Sequence, residues 1–212
     1  MSSRPEGVLE EWYAKGRLVG GIGSEPLERM FAHAGNYIDV IRELAGDGEL
    51  SLLDLGSGVG IPGLLLAVES PSLSITLVDS MSRRTNVALE FVAKLGLTER
   101  VEVINGRAED LLASRAGEFD VVVARCFGPP PLLAELSVGF LRSGGLLIVS
   151  EPPNAEGVRG ARWPASGLKK LGYGLPMFFD REFHFVALMR QAKIVGEPRA
   201  YARMIKNPAW KV

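Results

Sequence analysis

The sequence has one cysteine, no long apolar run and no metal-ligand motif, and each of these shortages excludes a class of protein or of site. Its 212 residues include a single cysteine, Cys126, so no internal disulfide can form and a disulfide-rich secreted scaffold is excluded. No apolar run approaches the roughly 18 residues that a membrane span needs, and the first residues lack the apolar centre of a signal peptide. No set of side chains has metal-ligand spacing. We therefore expect a cytoplasmic protein without a membrane or a metal partner.

The net charge of the chain is small, but charge is unevenly distributed along it. The net charge is −1, yet residues 1–50 carry −4, residues 51–150 carry −3 and residues 151–212 carry +6. With 47% hydrophobic residues and so little net charge, intrinsic disorder is excluded. The basic C-terminal third favours a contact with a polyanion, and a solvated basic surface explains it equally well.

The N-terminal part is predicted to be a helical extension over residues 1–50. Residues 1–23 are expected to be irregular, because glycines punctuate the stretch GRLVGGIGSEP. A helix follows, with Ser24 as its expected cap, Pro26 in its first turn and Gly46 at its end. One buried face is predicted from the spacing of Leu27, Met30, Phe31, Ala34, Tyr37, Ile38, Ile41 and Leu44.

Strand and helix patterns alternate from residue 51 onward. The predicted strands are SLLDL, SITLVD, VEVIN, FDVVVA and GLLIVSE, and the clearest helix between them runs from Ser82 to Leu95. Such continuous apolar strands are typical of a parallel sheet covered on both faces. After a loop and a short helix near Leu168, the runs YGLPMFF and EFHFVALMR predict an antiparallel hairpin. We predict one α/β domain over 51–212, a Rossmann-like, doubly wound, mostly parallel sheet, with residues 1–50 packed on it.

The loop after the first strand has the strongest motif. It reads Asp54-Leu55-Gly56-Ser57-Gly58-Val59-Gly60-Ile61-Pro62-Gly63. A dinucleotide fingerprint matches formally from Gly58, but Pro62 lies inside that match. The pattern Asp-x-Gly-x-Gly-x-Gly fits from Asp54 to Gly60 and is typical of the S-adenosylmethionine loop of class I methyltransferases, which also have the C-terminal hairpin. Glycines let a ligand lie against the backbone, and Asp54 can attract its amino group.

Acidic residues follow the next two strands. Asp79 lies 19 residues past Gly60, followed by Ser80, and its carboxylate is placed to accept the ribose hydroxyls. Ala108 and Glu109 follow the third strand and are placed to contact the adenine edge. The predicted cofactor is S-adenosyl-L-methionine, and its predicted contacts are Asp54, Gly56, Ser57, Gly58, Gly60, Gly63, Asp79, Ser80, Ala108 and Glu109.

Over about residues 50–150 the chain resembles the GidB/RsmG family of bacterial methyltransferases. The resemblance rests on LLDLGSGVGIPGLLLAV, LVDSMSRRTNVALEFVAKLGL, VINGRAEDL and FDVVVARCFGPPPLLAEL. It implies transfer of a methyl group to guanine N7 of 16S ribosomal RNA, with that RNA or a small-subunit precursor as the partner. We expect the protein to be a monomer. The chain departs from the family pattern ahead of the first strand, where the usual Arg-His segment is absent, and at Arg83-Arg84, where Lys-Arg is usual.

Arg125 is the predicted catalytic residue. It follows the fourth predicted strand, from where its guanidinium can hold a guanine or a phosphate through two hydrogen bonds. The alternative is an ion pair with Asp79 or Glu109. Guanine N7 has a free lone pair and no proton to lose, which agrees with the lack of an acid–base pair in the sequence. A small-molecule methyltransferase on the same core, or a module that binds the cofactor without turnover, are the alternative functions.

The remaining polar residues have less specific interpretations. Cys126 is expected to be a small buried residue rather than a nucleophile, and His33 and His184 are expected to be structural. Arg83 and Arg84 either contact RNA phosphate or are solvated. Residues expected to face RNA phosphate are Lys169, Lys170, Arg199, Arg203 and Lys206. The tail, GEPRAYARMIKNPAWKV, is expected to be partly mobile.

Overall fold

The chain divides into two compact units, residues 1–107 and 108–212, and each of them contains both strands and helices. The structure is a computed structural model, and it describes residues 5–153, 159–191 and 201–211. The predicted domain boundary at residue 50 stays a prediction.

The first unit consists of a parallel sheet and the helices around it. Its elements are α1 (Glu6–Leu18), α2 (Leu27–Ala45), β1 (Leu50–Leu55), α3 (Gly63–Glu69), β2 (Leu73–Asp79), α4 (Ser82–Lys94) and β3 (Val101–Asn105). Strand β2 pairs in parallel with both β1 and β3. The interiors of β1 and β2 are almost entirely buried, as the continuous apolar runs predicted.

Helix α1 contradicts the predicted irregular structure at Glu6–Leu18. Residues 19–23 lie outside any helix or strand, as predicted, and residues 1–4 lie outside the described residues. Leu9, Trp12 and Gly16 are buried on one side of this helix, at spacings of three and four residues, and α1 packs on α4. The stripe is narrow and includes a glycine, and a glycine-rich turn follows it directly. For these reasons the helical period of this stretch is weak in the sequence.

Helix α2 confirms the predicted buried face but not the predicted cap. It begins at Leu27 after Pro26, which is extended, and no side chain caps it, so the prediction for Ser24 is wrong. Gly46 ends it as predicted, with a φ of 83° that favours glycine. Leu27 and Leu44 are only half-buried, whereas His33 and Val40 are buried in addition.

The second unit continues the alternation of strand and helix. Its elements are α5 (Ala108–Arg115), β4 (Phe119–Ala124), α6 (Pro130–Phe140), β5 (Leu141–Glu151), α7 (Arg159–Arg162), α8 (Ala165–Lys170), β6 (Met177–Asp180), β7 (His184–Met189) and α9 (Tyr201–Lys206). Strand β5 pairs in parallel with β4 and antiparallel with β7, which pairs with β6. The predicted hairpin is therefore confirmed. Strand β6 starts only after Pro176, which has no backbone N–H to donate to a strand ladder.

Part of the C-terminal tail forms a helix, and its mobility stays a prediction. Residues 196–200 and 212 of the tail predicted to be partly mobile lie outside the described residues, whereas Tyr201–Lys206 form α9. Met204 is buried, and α9 contacts α6. The indole nitrogen of Trp210 donates a hydrogen bond to the Arg162 carbonyl at 2.9 Å.

Candidate active site

The glycine loop, residues 56–63, joins β1 to the start of α3 and requires glycine at two positions for different reasons. Gly58 has a φ of 58°, which a residue with a side chain rarely adopts, and the space where a Cβ would lie is open except for Arg84 Cδ at 3.9 Å. At Gly63 the need is close approach, because a Cβ there would overlap Leu77 Cδ2 and lie 2.8 Å from Asp54 Oδ2. The loop therefore requires glycine for conformation at one end and for packing at the other.

Asp54 anchors the loop from inside. Its side chain is fully buried, and Oδ2 accepts a hydrogen bond of 2.7 Å from the amide of Gly63. Burial raises the pKa of Asp54 to about 7; the hydrogen bond from Gly63 opposes this shift, and the nearby charge of Asp79 adds to it. The second oxygen, Oδ1, is buried and makes no hydrogen bond within the protein, and the same is true of the Ser57 hydroxyl. Buried polar atoms without partners mark a place where a ligand can supply them.

Asp79 joins the end of β2 to the glycine loop. Its Oδ2 accepts a hydrogen bond of 3.0 Å from the Gly58 amide, and Oδ1 accepts one of 2.8 Å from Met81. The Asp79 carbonyl accepts two further hydrogen bonds. One comes from the side-chain amide of Asn105, the last residue of β3, and the other from the backbone amide of Gly106, the next residue. A carboxylate has about four acceptor positions, so the two bonds leave room for hydroxyl donors. The structure thus brings Asp79 and Gly58 together, two residues that are 21 positions apart in the sequence.

Trp12 is a contact of this loop that the sequence analysis did not identify. Its indole nitrogen donates a hydrogen bond of 2.8 Å to the carbonyl of Val59, in the middle of the loop. The spacing of Leu9, Trp12 and Gly16 would have revealed the helix that carries it, but nothing in the sequence indicates its partner.

Three of the predicted site residues, Ala108, Glu109 and Arg125, belong to the second unit. Ala108 is buried and Glu109 half-buried at the start of α5. Arg125 directly follows β4, as predicted, and is half-buried. Cys126 is exposed and has a φ of 54°, so the expectation of a buried cysteine is wrong. Roles for Ala108, Glu109 and Arg125 stay predictions.

The two histidines and the basic residues outside the cofactor loop differ in burial and in their partners. His33 is buried beside the ring of Tyr37, and His184 Nδ1 lies 2.9 Å from Asp180 Oδ1, so both are packed or paired as expected. Arg83 is exposed, whereas Arg84 is half-buried. The exposed basic residues of α8 and α9 are Lys169, Lys170, Arg203 and Lys206, and Arg199 lies outside the described residues.

The described ranges contain neither a metal-binding cluster nor a membrane-spanning helix. Among residues 5–153, 159–191 and 201–211, no group of three or more His, Cys, Asp or Glu side chains is arranged to hold a metal ion. No helix in this part of the chain is long and apolar enough to cross a membrane.

Solved methyltransferase structures share this fold. A methyltransferase from Geobacter sulfurreducens matches 90% of this chain and 91% of its own with a TM-score of 0.63 at 16% sequence identity. This match defines the fold class as that of the α/β methyltransferases and confirms the predicted fold.

Sequence comparison then defines the family. The family model described as GidB, rRNA small subunit methyltransferase G, matches residues 8–153, and the chain belongs to this family. Proteins named ribosomal RNA small subunit methyltransferase G include one from Streptococcus sanguinis, 36% identical over 70% of this chain and 62% of its own length. Another, from Lactococcus lactis, is 30% identical over 95% of this chain and 85% of its own length. For three of the matched relatives the chain covers only 62%, 53% and 49% of their length.

Proposed function

We propose that this protein is an S-adenosylmethionine-dependent methyltransferase that acts on guanine N7 of 16S ribosomal RNA. The observation that carries the proposal is the hydrogen bond between the Gly58 amide and the Asp79 carboxylate, which joins a glycine loop to a strand-end acid in a member of this family. Family membership supports the RNA acceptor over the alternative of a small molecule.

The residues of the first unit fit the cofactor. Asp79 has acceptor positions left for the ribose hydroxyls, and the open space at Gly58 leaves the loop backbone accessible. Asp54 Oδ1 and the Ser57 hydroxyl are buried and make no hydrogen bond within the protein, so a ligand can supply their hydrogen-bond partners. We assign cofactor binding to these residues together with Gly56, Gly60, Gly63 and Ser80, and the adenine contact to Ala108 and Glu109.

Methyl transfer to guanine N7 depends mainly on alignment of the reacting atoms. When bound, the sulfonium of the cofactor supplies an already activated methyl group. The chain has to orient the guanine and exclude competing acceptors, and alignment of reacting atoms is itself a large part of such rate accelerations. We assign the orienting role to Arg125, whose planar guanidinium can donate two parallel hydrogen bonds to a guanine edge or to a phosphate. No general base is required at N7, because that atom has no proton to lose.

The partner and compartment follow from the same proposal. We propose ribosomal RNA, or a precursor of the small subunit, as the macromolecular partner of a cytoplasmic monomer. The exposed lysines and arginines of α8 and α9 supply positive charge for the RNA backbone.

A transfer assay with two arginine variants tests the proposal. Purified protein and isotopically labelled cofactor are incubated with 16S RNA or small subunits, and the labelled nucleoside is identified. Arg125→Lys is expected to bind S-adenosylhomocysteine normally and to transfer methyl at least about tenfold more slowly, because Lys cannot replace a bidentate contact worth about 1–3 kcal/mol. Arg115→Lys is the matched control, at a half-buried residue of α5 that pairs with Glu118. Label in a small molecule rather than in RNA would favour the alternative acceptor, and an unfolded Arg125→Lys protein would show a structural ion pair instead.

A further inference from the structure

Helix α1 contacts the proposed cofactor loop through one buried side chain. Trp12 is fully buried, and its indole N–H donates to the Val59 carbonyl at 2.8 Å. Val59 lies in the loop between Gly58 and Gly60, outside any helix or strand. A buried carbonyl there needs a partner from elsewhere in the chain, and Trp12 supplies it.

Two glycines bring α1 and the turn after it against the same loop residue. A Cβ on Gly21 would overlap Val59 Cγ1, and a Cβ on Gly16 would lie 2.5 Å from Ile22 Cδ1 and 3.4 Å from Val59 Cγ2. The Val59 side chain is therefore enclosed by the backbone of α1 and of the turn Gly20–Ile22. Close packing of this kind leaves the loop little freedom to shift.

A second contact connects the turn to α4, which starts next to Asp79. Arg84 Nη2 donates a hydrogen bond of 2.7 Å to the Gly20 carbonyl, and the Arg84 amide donates one of 2.8 Å to the Met81 carbonyl. Met81 in turn donates to Asp79, which holds Gly58. Val59 is thus held directly by Trp12, while its neighbour Gly58 is held through Asp79.

We propose that Trp12 is a positioning residue for the cofactor loop. Helix α1 and the turn Gly20–Ile22 form a bracket that keeps Val59, and through it Gly58, in the conformation that binds the cofactor. Trp12 acts through Val59 and touches no reacting atom. The inference rests on the proposed function of the glycine loop.

The variant Trp12→Phe removes the donor and keeps most of the ring. Without the hydrogen bond the loop populates other conformations, and the apparent Kd rises as the binding-competent fraction falls. We expect the Kd for S-adenosylhomocysteine, measured by isothermal titration calorimetry, to rise about fivefold, the factor that corresponds to losing one hydrogen bond of typical net strength.

Trp210→Phe is the matched control. It loses the same kind of bond, an indole N–H to the Arg162 carbonyl at 2.9 Å, but in the second unit. Its Kd is expected to stay within about twofold of wild type, because twofold corresponds to well under 1 kcal/mol. The free energy of unfolding of both variants is measured in urea, so that a loss of stability is separated from a loss of affinity.

Arg84→Gln and Arg83→Gln form a second matched pair. The two residues are neighbours in α4 and lose the same charge, but of the two it is Arg84 that holds the Gly20 carbonyl. Arg84→Gln is expected to raise the Kd for S-adenosylhomocysteine several-fold over that of Arg83→Gln. Equal Kd values for the pair would contradict the bracket.

The outcomes separate this inference from the proposed function. Trp12→Phe that is less stable but binds S-adenosylhomocysteine as wild type does would overturn the positioning role, since the residue would then only support the fold. A wild-type protein that does not bind S-adenosylhomocysteine would overturn the proposed function and the inference with it.

If Trp12→Phe fails to fold, the indole ¹⁵N–¹H resonance of Trp12 in the wild-type protein tests the inference instead. It is expected to shift when S-adenosylhomocysteine is added, and an unmoved resonance would overturn the inference.

Discussion

At the scale of single residues, Asp79 carries the sharpest prediction. Asp79→Ala removes the acceptor of the Gly58 and Met81 amides and the proposed partner of the ribose. A hydrogen bond to a charged group is worth about 1.5–3 kcal/mol, so the Kd for S-adenosylhomocysteine is expected to rise at least about tenfold in a calorimetric titration. Asp47→Ala, at an exposed site after α2, is the control and should bind normally. Unchanged affinity of Asp79→Ala would contradict its role in the site.

Asp54 predicts a pH dependence of stability. Its folded-state pKa of about 7 lies above the ordinary value of 3.8, so between these values the folded protein binds more protons than the unfolded chain. The free energy of unfolding therefore falls as pH rises from about 4 to about 7, because over this range the unfolded chain loses the Asp54 proton while the folded protein keeps it.

The isosteric variant Asp54→Asn isolates this effect. Asn cannot ionise, so the wild type should lose stability relative to the variant between pH 5 and pH 8. The loss should reach a few kcal/mol, since one pKa unit corresponds to about 1.36 kcal/mol. Urea unfolding of both proteins at the two pH values measures it. Parallel pH profiles would show that Asp54 titrates normally.

At the scale of elements, the junction of the glycine loop and α3 depends on close packing. Gly63→Ala would place a methyl group against Leu77 Cδ2 and Asp54 Oδ2, both fully buried, and overpacking of this kind costs about 1–3 kcal/mol. Gly35→Ala in α2 is the matched control. Apart from its chain neighbours and the backbone of its own helix, no atom lies within 4 Å of its Cβ position, and Ala favours a helix by about 0.5–1 kcal/mol. Urea unfolding should show loss of stability in the first variant and none in the second. Equal stability would contradict the packing argument.

The elements also show what the sequence could and could not predict. Strands β1 to β5, α4 and the hairpin were all predicted. Their signals are the spacing of apolar residues and the residues of the turns, which are local properties of the sequence. Helix α1 was missed because its buried stripe is narrow and ends in glycine. The contact between Asp79 and the glycine loop was predictable, because ends of neighbouring parallel strands meet at one edge of a sheet. The hydrogen bond from Trp12 to Val59 was not, because it joins residues 47 positions apart whose types do not specify each other.

At the scale of the whole molecule, the basic C-terminal third predicts a dependence on salt. Lys169 and Lys170 of α8 are exposed, as are Arg203 and Lys206 of α9. If they neutralise RNA phosphates, RNA affinity falls steeply with salt, with a slope of roughly −0.7 to −0.9 per contact on a logarithmic plot. The double variant Lys169→Gln/Lys170→Gln should reduce that slope by about 1–2 in a filter-binding titration, and Arg42→Gln in α2 should leave it unchanged. A wild-type affinity that salt does not alter would contradict this surface.

The central claim is that this chain methylates guanine N7 of 16S RNA, and the most direct test is mass spectrometry of nucleosides from that RNA. The RNA is taken from a strain lacking the gene, and from the same strain carrying the wild-type gene, Asp79→Ala or Arg125→Lys. We expect one N7-methylguanosine to be absent from the deletion strain, restored by the wild-type gene and largely missing with either variant. An unaltered N7-methylguanosine content in the deletion strain would contradict the claim.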